Sequence, residues 1–306
     1  IAINSFPVDH SVPGANSFVI ETSEGAVVYT GDIRFHGRRA GFSKEFVKKA
    51  ARFDPIAMIT EGTRVGEPTS YGELELKDEL TKKISEVKEL VVANFPVRDM
   101  DRMYSFVEAA KDNDRSLVIN LKQAYTLREL TKSNVPGIPD LDQIEDFIPR
   151  KKWGILDDDK YPRRIQMQDY RNWEREFLES SQSVTAEDLR KNPKKYIYRC
   201  DFYELNNLFD IKPPAGSIYI RSVTEPVDEE MEMALEKEEN WLKHFGLYPY
   251  QQIHCSGHAS GHDIKEMIDE IAPKNLIPIH TETPEVFHSF HSKVIQKEIG
   301  VKIILK

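Results

Sequence analysis

Cysteine is nearly absent: 306 residues contain only Cys200 and Cys255. Two are too few for a disulfide framework and lack the CxxC spacing of a structural zinc site, so both read as buried thiols. Long apolar runs are missing as well. Nothing approaches the roughly 18 apolar residues that span a bilayer, and Ile1-Ala2-Ile3-Asn4-Ser5 lacks the basic-then-apolar order of a secretion signal. A cytoplasmic location without a membrane partner is the expectation. Positive charge is in deficit, with 42 Lys and Arg against 51 Asp and Glu. That argues against indiscriminate nucleic-acid binding but still allows a locally basic groove. The sequence has no internal repeat and no low-complexity tract.

At 40% hydrophobic and 30% charged, the chain is long enough for a sizeable core and for two domains. Strand patterns at 17–21, 26–30, 56–60, 89–94, 116–120, 217–222, 249–254, 275–279 and 301–305 alternate with helical patterns such as 71–87, 98–112 and 227–244. This alternation predicts α/β layering. From about Lys122 to Asn207 strand signals thin out and charged, amide and aromatic residues dominate, so this stretch reads as a helical or irregular insertion. Tyr170 to Leu178 carries aromatics at helical spacing and reads as a packing face. After Pro213-Pro214-Ala215-Gly216 the strand pattern resumes, which suggests that the first and last segments share one sheet.

Four histidine or carboxylate positions stand at predicted strand ends. His280 follows the buried run Leu276-Ile277-Pro278-Ile279, and a histidine just past such a strand faces the site at the sheet edge rather than the core. Asp32 closes Val27-Val28-Tyr29-Thr30-Gly31. The hairpin 16–30, turning at Gly25, brings Asp32 back to His10, and an imidazole beside a carboxylate suits a divalent metal. His258 lies in Ser256-Gly257-His258-Ala259-Ser260, where a glycine-containing loop enters a helix predicted over 260–271. The backbone N–H groups of such a turn make a phosphate cradle.

These residues resemble the β-CASP branch of the metallo-β-lactamase-fold nucleases, which includes ribonuclease J and the pre-mRNA cleavage factors. His10 and Asp32 match the family's third and fourth metallo-β-lactamase motifs. Glu61 in Thr60-Glu61-Gly62-Thr63, His258 and His280 match the three motifs peculiar to the branch. The resemblance implies an αββα metallo-β-lactamase sandwich over 1–63 and 216–306, with a β-CASP α/β domain inserted over 64–215. The family's HxHxDH motif should precede His10 and is absent. The sequence is therefore expected to be an incomplete amino-terminal end, either a piece of a longer protein or one completed by a separate segment.

The same resemblance implies two zinc ions, with His10 and His280 as metal ligands and Asp32 spanning both ions. Paired divalent ions activate water and stabilise charge growing on a phosphate. His258 would donate the proton to the departing ribose oxygen and Glu61 would orient it. His254, Ser256, Gly257, Ala259 and Ser260 are candidate phosphate contacts. Arg98 and Arg221, with Arg34, Arg38, Arg39 and Arg102, are candidates to grip the nucleic-acid backbone.

The substrate so implied is RNA, single-stranded, and the partner is a second copy or the missing amino-terminal segment. A non-catalytic RNA- or partner-binding homologue, a hydrolase of a small ester or phosphate, and a DNA-repair nuclease are the alternatives; His280 favours RNA. His36, His244, His288 and His291 read as having no role in the site, and His262 as an exposed residue of the first helical turn. Arg150-Lys151-Lys152 and Arg163-Arg164 read as solvated charges.

Overall fold

The computed structural model describes residues 1–69, 71–151, 167–296 and 300–304. Lys152, Arg163 and Arg164 lie outside the described residues. The chain divides into two compact units, Ile1–Leu74 with Cys255–Lys306, and Glu75–His254. Among the described residues no helix is long and apolar enough to cross a membrane.

The first unit is built on a sheet of order β1-β2-β3-β4-β12. Its strands are β1 (Ala2–Pro7), β2 (Asn16–Thr22), β3 (Gly25–Tyr29), β4 (Ala57–Thr60) and β12 (Leu276–Pro278). The hairpin β2–β3 forms as its alternation predicts, with Val19 opposite Val28 and both fully buried. Gly25 has φ +137°, and a Cβ there would lie 2.5 Å from Ile56, so the turn needs glycine.

One face of this sheet packs against two helices, Ala40–Ala51 and Gly261–Ile271, around a core that includes Val19, Val28, Met58, Phe46, Ile264 and Ile268. The second helix buries Ile264, Met267, Ile268 and Ile271, a stripe at i, i+3, i+4 and i+7. It begins with a capping box between Ser260 and Asp263.

Strand direction decides where the site lies. β1 is antiparallel to β2 and β2 to β3, whereas β3, β4 and β12 are mutually parallel. Hence β1, β3, β4 and β12 all run the same way and end at the same edge of the sheet.

The second unit holds a parallel sheet of order β11-β10-β5-β9-β6-β7-β8. Its strands are β5 (Val91–Asn94), β6 (Ser116–Asn120), β7 (Ile144–Phe147), β8 (Ser183–Val184), β9 (Tyr196–Arg199), β10 (Ile218–Arg221) and β11 (Gln251–Gln252). Helices Met100–Lys111 and Leu121–Lys132 provide the crossovers around β6.

Three expectations are corrected here. The stretch 122–207 contributes β7, β8 and the central strand β9; β9 was missed because a short parallel strand buried on both faces shows no alternation, and β7 and β8 because they are only 4 and 2 residues long. The strand at 218–221 does not return to the first sheet. It pairs with β5 through Ile218↔Val91 and Arg221↔Asn94, so the break between units falls after His254 rather than after Ala215. Periodicity identifies a strand but not its partner. Residues 301–304 form no strand, and Leu305 lies outside the described residues.

Asp146 on β7 is 2% exposed, and its Oδ1 has no hydrogen-bond partner among the described residues. Burial, reinforced by Glu145 and opposed by Arg128, pushes this carboxyl up to about 7. The unfolded chain titrates near the ordinary aspartate value of 3.8, so across the interval up to the folded value the native form holds the extra proton. Stability therefore falls as pH rises through that window. Asp146→Asn should remove this dependence. In urea unfolding the variant should gain on the order of 1–3 kcal/mol over the parent at pH 8 and close to nothing at pH 4. An equal loss at both pH values would contradict the assignment.

Candidate metal centre

The common edge of the first sheet gathers the chemistry. His10 follows β1, Asp32 follows β3, Glu61 follows β4 directly and His280 follows β12. His258 arrives from the loop that opens the helix Gly261–Ile271. Gly31, with φ +58°, makes the turn that carries Asp32, and His280 itself sits at φ +49°. A side chain held in that region is uncommon and marks a constrained position. The ring of Phe287 comes so near Gly62 that a Cβ there would lie 2.6 Å from it, which lets the chain after Glu61 pass close to the segment after His280.

Asp32, Glu61, His258 and His280 each present a ligand atom within 4.8 Å of the others, the one such cluster among the described residues. His10 joins them through Nε2, 3.8 Å from Asp32 Oδ2, while His280 Nδ1 is 3.3 Å from Asp32 Oδ1. The imidazole of His258 stands edge-on between the other two, with centroids 5.3 Å from His10 and 5.5 Å from His280.

Hydrogen bonds set the tautomers. The Gly257 carbonyl can only accept, so His10 Nδ1, 2.6 Å away, carries the proton and Nε2 is left for a ligand. Burial lowers the His10 pKa further, which keeps the ring neutral; the hydrogen bond to Gly257 opposes this less strongly. His258 Nδ1 donates to Glu61 Oε2 at 2.8 Å. Burial alone would push His258 down as well, but the Glu61 hydrogen bond and the charges of Glu61 and Asp32 together outweigh it, so its pKa is raised.

Glu61 is 1% exposed and both its oxygens are engaged, Oε1 by Ile33 N–H at 2.9 Å and Oε2 by His258. It is an orienting group for His258 rather than an open ligand. The remaining donors, imidazole nitrogens and one carboxylate, are the set that zinc accepts. The residues present therefore fit a zinc ion.

The other sequence candidates fall elsewhere. In the loop expected to cradle phosphate, 256–260, the N–H groups from His258 onward are engaged within the protein. The N–H groups of His258, Ala259, Ser260 and Gly261 already donate to Ser256 Oγ, the Ile33 carbonyl, Asp263 and the Glu67 carbonyl respectively. Ser260 spends its hydroxyl as the helix cap, and Ala259 is buried. Ser256 and Gly257 contribute carbonyl oxygens that hold side chains in place.

His254 belongs to the second unit, where its Nδ1 lies 3.1 Å from Arg102 Nη1. Arg221 is buried and bonded to Glu238, Gln252 and the Thr224 carbonyl, so it serves the fold instead of gripping a ligand. Arg98 is exposed in a turn of the second unit. Arg34 is fully buried, and His36, expected to have no role, donates to the Ser256 carbonyl. The signal for Arg34 was adjacency, since Asp9, Arg34 and Ser256 each lie within two residues of His10, Asp32 or His258; His36 gave no such signal.

Residues 250–305 match the family described as RMMBL, the Zn-dependent metallo-hydrolase RNA specificity domain. The chain is similar to ribonuclease J of Pyrococcus abyssi (strain GE5 / Orsay), 25% identical over 299 residues, which cover 94% of this chain and 60% of that protein. Ribonuclease J 2 of Streptococcus pyogenes serotype M3 is 21% identical over 305 residues, 98% of this chain and 50% of that protein. The chain thus spans half to three fifths of the length of these relatives. A solved structure, a protein of unknown function from Enterococcus faecalis V583, matches with a TM-score of 0.71 at 22% identity, over 99% of this chain and 64% of that one. The mixed α/β architecture is consistent with a metallo-β-lactamase-like fold, and these matches support a β-CASP, ribonuclease J-like family for the chain.

Proposed function

We propose that this chain carries the hydrolytic centre of a zinc-dependent nuclease that cleaves RNA phosphodiester bonds, with single-stranded RNA as the substrate. The observation that carries the reading is the convergence of His10, Asp32, His258 and His280 at one sheet edge, with the rings of His10 and His258 each oriented by a hydrogen bond. Similarity to ribonuclease J proteins across most of the chain supports RNA as the substrate class. We read the second unit, Glu75–His254, as the inserted β-CASP domain.

His10 through Nε2, Asp32 and His280 would hold zinc. Asp32 turns one oxygen toward His10 and the other toward His280, so it would hold metal together with either histidine. Bound zinc supplies Lewis acidity, polarising a phosphoryl oxygen and lowering the pKa of nearby water. His258, poised by Glu61 with a raised pKa, gives a proton to the leaving ribose oxygen. Glu61 keeps the ring from turning and stabilises the protonated form until transfer.

With a labelled single-stranded RNA and the full-length protein, cleavage should require zinc. His258→Ala should lower kcat by about 10²–10⁴-fold with zinc content unchanged. Zinc binding without any cleavage by the parent protein would favour the non-catalytic homologue instead.

Glu61 makes a second, separable prediction. Glu61→Ala leaves the Ile33 N–H without its acceptor and should cost about 1–3 kcal/mol in urea unfolding. Glu61→Gln retains an acceptor and should recover most of that stability while cleavage stays impaired. Normal cleavage by Glu61→Gln would show that the carboxylate serves only the fold.

A further inference from the structure

Arg34 stands two residues after Asp32, yet its guanidinium is fully buried. Its Nε lies 3.2 Å from Asp9 Oδ1, and its Nη1 lies 3.5 Å from Glu73 Oε1 and 3.3 Å from the Ser256 carbonyl. Its backbone N–H donates to the Asp9 carbonyl at 2.9 Å. Asp9 precedes His10, and Ser256 is two residues before His258. A single planar cation thus touches the three chain segments that deliver His10, Asp32 and His258.

His36 reinforces it, donating from Nε2 to the same Ser256 carbonyl at 2.9 Å. Gly37 fits tightly over the ion pair, since a Cβ there would lie 2.4 Å from both Arg34 Nε and Asp9 Oδ2. A buried ion pair is weak evidence for stability, because apolar residues of equal volume commonly serve as well; what it supplies in some proteins is a unique arrangement. Here the arrangement it fixes is the loop under the candidate centre.

We propose that Arg34, seconded by His36, is a positioning residue of this centre. It clamps the Ser256 carbonyl so that the next carbonyl, that of Gly257, meets His10 Nδ1. That contact holds His10 in the tautomer with Nε2 toward Asp32 and sets the approach of His258. Lysine cannot substitute, because a point charge lacks the rigid fork that spans Asp9 and the Ser256 carbonyl together. This rests on the reading of His10 and Asp32 as metal ligands and extends it to the residue that pre-sets them.

The test uses the full chain without metal, then with cobalt(II) alone as a spectroscopic probe. Long-range ¹H–¹⁵N spectra report the tautomer of each imidazole. In the parent, His10 should show a single Nδ1–H form. Arg34→Lys and His36→Phe should give a tautomer mixture and a loss of about 10–100-fold in cobalt affinity, while His36→Gln, which keeps a donor, should stay closer to the parent. Circular dichroism establishes that each variant is folded; if Arg34→Lys is not, His36→Phe decides, since it leaves the Asp9–Arg34 pair in place. An unchanged His10 tautomer and unchanged cobalt affinity in the folded variants would overturn the proposal. A parent chain that binds no cobalt, with the tautomer shift still seen in the variants, would instead refute the metal reading and leave the positioning role standing.

Discussion

The candidate centre depends on one constraint: four strands run in the same direction and stop at one edge of one sheet. Parallel neighbours in register bring their final residues side by side, so Tyr29, Thr60 and Pro278 deliver Asp32, Glu61 and His280 to a common rim. β1 reaches that rim by two antiparallel steps and brings His10. Residues separated by up to 270 positions become neighbours without any long loop having to find its place. A slip of one residue between β3 and β4 would turn their buried faces outward and disperse the cluster at the same time. Core packing and site assembly are therefore selected by the same register.

Beneath that rim lies a layer of buried polar groups whose contacts converge on the loop 256–258. Glu61 ties Ile33 N–H to His258, and Arg34 ties Asp9 to the Ser256 carbonyl. Each site imidazole except the exposed His280 thus has its outer nitrogen fixed by a protein acceptor. This arrangement fixes ring orientation before a ligand arrives, which reduces the ordering left to be done on binding. His10 and His258 occupy the same pocket, yet their pKa values move in opposite directions, because only His258 is bonded to a carboxylate.

Much of the first unit was legible in the sequence. The hairpin 16–30, the helix over 260–271 and the strand before His280 all announce themselves by alternation, capping residues and apolar runs, and together they place Asp32, His258 and His280, while His10 is brought by β1. What escaped is instructive. β9 lies at the centre of the second sheet but reads as Tyr196-Ile197-Tyr198-Arg199 in a charged context, because burial on both faces erases alternation and Arg199 is neutralised by Asp201 and Glu204, close in the chain but recognisable as partners only in the fold. β10 was legible as a strand but not as a partner of β5, since pairing is a tertiary choice. Arg34 and Arg221 looked like surface cations because charge in a sequence carries no information about burial. The loop at 256–260 looked like a phosphate cradle because a helix start always offers N–H groups; here the fold's own acceptors take those of His258, Ala259 and Ser260.

The central claim is that this rim binds zinc through His10, Asp32 and His280. The most direct measurement is anomalous X-ray diffraction, at the zinc edge, from crystals of the chain grown with zinc. The account predicts a peak about 2.0–2.2 Å from His10 Nε2 and an Asp32 oxygen, or from Asp32 and His280, with the Glu61–His258 contact intact. Zinc bound only at other histidines, or a rim with these side chains ordered and no anomalous signal at saturating metal, would contradict it.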